Sequence, residues 1–126
     1  MIRGLQIVLL ALSLVPLYFA VTGLMGGAAA HNGGVAVSAG LENQFMYLSA
    51  FYLILTMLIW WIIPRVVTET TLFRIIILAV FLGGLARLYA YKTVGAPPPL
   101  MMGGMLLELG APILMVWQAK LKTYGI

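Results

Sequence analysis

Seven basic and three acidic residues carry all the formal charge of this 126-residue chain, and two of them lie inside apolar runs. Arg87 sits in "FLGGLARLYAY" and Glu108 in "GMLLELGAP". A guanidinium and a carboxylate in such surroundings can neutralise each other as a charge-assisted pair, hold the polar end of a ligand, or pass a proton. A proton path would need further titratable groups along it, and the inner halves of these runs contain none. Glu42, with Asn43, Gln44 and Tyr47 beside it, adds acceptors at the outer start of another run. The expected site is therefore a buried polar cluster of Arg87, Glu108, Glu42, Asn43 and Tyr47, serving as a headgroup site or as an ion pair that fixes helix register.

Other chemistry finds little footing. His31 is the single histidine and stands in the Gly/Ala-rich stretch "GGAAAHNGGVAVSAGLEN", where a solvated loop residue is the expectation. Met101, Met102 and Met105 cluster on one segment, and packing accounts for them. With no cysteine there are no disulfides, thiolate metal sites or Cys nucleophiles. Neither a phosphate-cradling glycine loop nor a serine with a nearby base is evident. No enzyme activity, metal or cofactor is expected.

The elements that position Arg87 and Glu108 follow from composition, which is 63% hydrophobic and 8% charged where soluble proteins carry about 25% charged residues. A membrane-spanning helix needs about 20 mostly apolar residues, and four such runs cover about 5–25, 44–63, 72–91 and 98–119. The expected fold is all-α: an integral membrane four-helix bundle, antiparallel and up-down, forming a single domain over 1–126. Residues 1–30 also mimic a secretory signal, with cleavage after Ala30, but the apolar run is longer than a signal core and a retained first helix is expected.

Basic residues mark the ends of the runs rather than a nucleic-acid patch. Arg3, Arg65, Arg74, Lys120 and Lys122 fall at the start, the second loop and the tail, so the positive-inside rule places both termini and that loop in the cytoplasm. Trp60, Trp61 and Trp117 then mark the inner interface, and Tyr89 and Tyr91 the outer one. Between the runs, "PRVVTETT" makes a tight hairpin with Thr or Glu caps, and "TVGAPPP" starts the fourth helix through prolines. Gly83, Gly84, Gly103, Gly104, Gly110 and Ala111 favour close helix packing, and Pro112 can kink the fourth helix. At about 1.5 Å per residue, Arg87 and Glu108 differ in level by about 7 Å. Side chains lean toward their helix N-terminus, which on antiparallel neighbours brings the two together.

"FLGGLARL", "VGAPPP" and "LELGAPILMVW", following "YFAVTGL" and "ENQFMYLSAFYL", resemble a bacterial family of uncharacterised four-helix membrane proteins, domain of unknown function 4345. Gly83, Gly84, Arg87, Glu108 and Pro112 form the most specific part of the pattern. The resemblance implies a four-helix membrane domain and supplies no activity. Two functions are compatible with these features: an accessory or structural subunit of a larger membrane complex or a homo-oligomer in a bacterial cytoplasmic membrane, or a carrier of a small amphipathic, lipid-like molecule. Membrane lipids are expected partners and nucleic acid is not.

Overall fold

The computed structural model describes residues 2–123. Among them every regular element is helical: α1 Ile2–Ala30, α2 Ala39–Ile62, a 3-10 turn at Ile63–Arg65, α3 Thr70–Thr93, α4 Pro99–Gly110 and α5 Pro112–Thr123. Four helices are long and apolar enough to cross a membrane, namely Ile2–Ala30, Ala39–Arg65, Thr70–Thr93 and Pro99–Thr123, the last being α4 and α5 together.

The spans reach past the expected runs at every end except the start of α4, which falls one residue inside, and at α2 a side-chain cap accounts for the earlier start. α2 starts five residues earlier than its apolar run, at Ala39, because the Ser38 hydroxyl accepts from Leu41 N at 3.2 Å. Glu42 thus falls in the first helical turn, where a carboxylate favours the positive end of the helix dipole. The Gly/Ala-rich stretch over 26–43 is helical at its two ends, through Ala30 and from Ala39. At α3, Glu69 takes the cap position without a side-chain cap bond, so the expected Thr or Glu cap is not made. α4 begins as expected, with Pro98 at its cap and Pro99 in its first turn.

The contacts gather the chain into two compact units. One comprises Val8–Ile63, the other the start of α1 through Ile7 together with the chain from Pro64 onward. In the first unit, Trp60 Nε1 donates to Ser13 Oγ at 2.9 Å and Ser13 Oγ donates to Leu10 O at 2.6 Å. Trp60 therefore spends its indole N–H on α1 rather than on interfacial water. Farther along the same two helices, Gly23 lies against Ser49, whose Cβ would be 2.8 Å from a Cβ at position 23. Ser49 and Thr56 are buried, and each donates its hydroxyl to the carbonyl four residues back, Phe45 O at 2.8 Å and Tyr52 O at 2.9 Å. In the second unit, Val66, Phe73, Ile76, Ile77, Leu114 and Leu121 are buried, and Gly4 receives the edge of Trp117.

Candidate functional site

The charged site is built where α3 loses its side chains and α4 ends. A Cβ at Gly84 would stand 2.9 Å from Glu108 Cβ and 3.1 Å from Leu109 N, and one at Gly83 would stand 3.4 Å from Glu108 Oε2. The two glycines thus leave a bay in α3 that Glu108 enters. One turn farther along, Arg87 leans back toward the α3 N-terminus, and its Nε lies 2.8 Å from Glu108 Oε1, with side-chain exposures of 19% and 15%. That lean closes the difference in level expected from residue counting.

Pro112 shapes the other side of the bay. It has no amide to donate to the Glu108 carbonyl four residues back, and Ala111 N takes that carbonyl instead at 3.2 Å, while Leu114 N bonds Ala111 O at 2.9 Å. This break separates α4 from α5 directly after the turn that carries the acid.

The remaining expected cluster members belong to the other unit. Glu42 belongs to the Val8–Ile63 unit, where its Oε1 accepts from Ala28 N. Gly27 makes room for it: its φ of 66° and ψ of −165° interrupt α1, and a Cβ there would collide with the Glu42 carboxylate. Asn43 and Tyr47 are exposed, correcting their placement in a buried cluster; Tyr47 packs edge-on to Phe51, with ring centres 5.0 Å apart. They follow Glu42 by one and five residues, which on a 3.6-residue turn points them away from the face that carries the carboxylate. Of the packing glycines, Gly104 is buried, but Gly103 and Gly110 have nothing within 4 Å of an added Cβ. Gly110 is therefore not packed against a described helix of its own unit.

His31 also departs from expectation. Its ring centre is 5.6 Å from those of both Phe19 and Phe45, and its Nε2 is 2.9 Å from Thr22 Oγ1. The Thr22 hydroxyl also lies 2.8 Å from Tyr18 O, to which it can donate, so the ring is tied to α1 through Thr22. The histidine fastens the loop down because Gly27 redirects the chain and the turn after it, with His31 N bonded to Ala28 O at 3.1 Å, returns the ring to α1. Uncharged polar residues within apolar runs signalled further contacts that charge and glycine patterns miss: Ser13, Ser49, Thr56 and Gln118 are all buried.

Gly27→Ala tests this turn. Its φ/ψ region is essentially restricted to glycine and costs about 1–3 kcal/mol for other residues, before displacement of Glu42 is counted. The expected result is a lower unfolding midpoint in detergent with faster amide deuterium exchange over 28–34; unchanged exchange there would contradict the role given to Gly27.

Among the described residues, no three His, Asp or Glu side chains gather as a metal ion would require. Chemically, the Arg87–Glu108 site is one cation and one anion that can brace two helices or present a dipole to a polar headgroup. No curated protein and no solved structure matches this chain. A family model described as a domain of unknown function (DUF4345) matches residues 4–119, and the chain belongs to that family.

Proposed function

We propose that this protein is a non-catalytic accessory or structural subunit of a larger assembly in the bacterial cytoplasmic membrane. The observation that carries this reading is the open face of α4. Gly103 and Gly110 are seven residues apart, two helical turns, with nothing within 4 Å of either added Cβ, and exposed Leu106, Leu107 and Ile113 flank them. Helices in lipid associate through small residues that admit a neighbouring backbone, so this face suits a helix of another subunit. Gly110→Leu should be neutral or stabilising by up to about 1 kcal/mol through helix propensity, while removing the partner from mild-detergent extracts of native membranes analysed by native mass spectrometry. A wild-type protein that is monomeric and alone in such extracts would contradict the proposal.

The reading includes an antiparallel up-down arrangement with both termini cytoplasmic. Its support is the order of contacts within each unit: Arg87 meets Glu108 while Thr70 meets Gln118, and Ser13 meets Trp60 while Ala28 meets Glu42. Cysteine placed at Asn32 should react with an impermeant thiol reagent added outside cells, and cysteine at Thr68 should not. The reverse labelling would overturn the orientation.

A second reading, carriage of an amphipathic molecule by its polar end, is favoured by the residual exposure of the Arg87–Glu108 pair. It requires a defined lipid in the same extracts that Glu108→Gln abolishes.

A further inference from the structure

The turn that carries His31 also holds a chemically labile pair, Asn32 followed by Gly33. An asparagine amide can be attacked by the main-chain nitrogen of the next residue where that nitrogen is unbonded and unhindered. Both conditions are met here. Asn32, Gly33 and Gly34 are exposed, Gly33 has no Cβ to block the approach, and nothing lies within 4 Å of a Cβ added there. The φ of 65° at Gly33 is one that glycine adopts readily and other residues do not.

The hydrogen bonds of the turn leave that nitrogen to react. His31 N donates to Ala28 O, Asn32 N and Gly34 N donate to Ala29 O, and Val35 N donates to Asn32 O, whereas Gly33 N makes no hydrogen bond among the described residues. Asn32 Nδ2 donates to Val35 O at 3.3 Å, beyond the usual range of about 2.7–3.2 Å, so the side chain turns from it at little cost. Asn43, the other asparagine of the chain, is exposed as well. Gln44 follows it inside α2, where the main-chain amide is committed to the helix and a side chain flanks it.

We propose that Asn32 is a self-modification site, whose conversion to aspartate and isoaspartate releases the His31 turn. Gly33 N gives up its proton to water and bonds to Asn32 Cγ. The Cγ–Nδ2 bond breaks, and the amide nitrogen takes up a proton and leaves as ammonia. One water then opens the five-membered imide: cleavage of the new N–Cγ bond gives aspartate, and cleavage of the original main-chain N–C bond gives isoaspartate. Either product puts a carboxylate where the amide donated to Val35 O, and no Lys or Arg lies between residues 4 and 64 to balance it or Glu42. Isoaspartate also lengthens the main chain by one carbon between Asn32 N and Gly34 N, which both bond Ala29 O. The turn that seats His31 on Phe19 and Phe45 then loses its spacing.

The test incubates the full chain in detergent at mildly alkaline pH, which favours loss of the Gly33 amide proton, and maps its peptides by mass spectrometry, with enzymatic methylation to report isoaspartate. A synthetic peptide covering 28–37 sets the rate without the fold. Asn32 should convert, with isoaspartate the larger product, while Asn43 stays an amide. Gly33→Val should slow conversion by about tenfold or more, a rise of at least about 1.4 kcal/mol in the barrier. Amide deuterium exchange over 28–34 should quicken in the converted protein, and less so in Asn32→Asp, which carries the charge without the longer chain. Asn32 intact once the free peptide has fully converted, equal conversion at Asn43, or unslowed conversion in Gly33→Val would overturn the site. Unchanged exchange over 28–34 after conversion would overturn the release of the turn.

Discussion

Gly84→Ala is expected to lower stability by about 1–3 kcal/mol, the usual range for an extra methyl forced into a filled space. The added Cβ would meet Glu108 Cβ at 2.9 Å, Leu109 N at 3.1 Å and Glu108 C at 3.2 Å. Two of these atoms are backbone, so relief requires α4 to move rather than a side chain to turn. Such a shift also draws Glu108 away from Arg87, and Gly84→Val, with two more carbons, should exceed the range. Two neighbours serve as internal standards. At Gly83 the nearest atom is Glu108 Oε2 at 3.4 Å, an ordinary contact, and at Gly110 there is none within 4 Å. Gly83→Ala should therefore be mild, and Gly110→Ala neutral or stabilising by up to about 1 kcal/mol through helix propensity. Thermal unfolding in one detergent orders the three; equal losses at Gly84 and Gly110 would show that α3 and α4 do not approach closely at the bay.

The features legible from sequence were those with large transfer energies. Four apolar runs appear as four helices of spanning length, and the two charges deep within runs lie 2.8 Å apart, since a lone Arg in a bilayer costs about 2.5–3.5 kcal/mol on insertion scales. Features decided by smaller or nonlocal terms were not legible. Gly84 and Gly110 are identical as letters, yet one faces Glu108 and the other open space, because face depends on rotation about the helix axis. His31 looked like a loop residue until the left-handed turn at Gly27 carried it onto Phe19 and Phe45. Glu42 looked like a partner for a distant arginine, while a backbone amide within its own unit was available to it.

The central structural claim is that Arg87 is held in an apolar helix by Glu108, and a double-mutant cycle tests it most directly. Glu108→Gln leaves a guanidinium without its counter-charge, and one-sided loss of a buried pair typically costs about 3–5 kcal/mol. Partial exposure of both side chains and the capacity of Arg87 to reach toward the interface place the expected loss at the low end. Arg87→Met leaves Glu108 in the same position with its charge unmatched. Combining the two removes both charges together, so the double variant should be more stable than the sum of the single losses indicates, with a coupling on the order of 1–3 kcal/mol. The measurement is the unfolding free energy in detergent of the wild type, Arg87→Met, Glu108→Gln and the double variant. A favourable coupling in that range is the predicted result; losses that add within error would contradict the pairing.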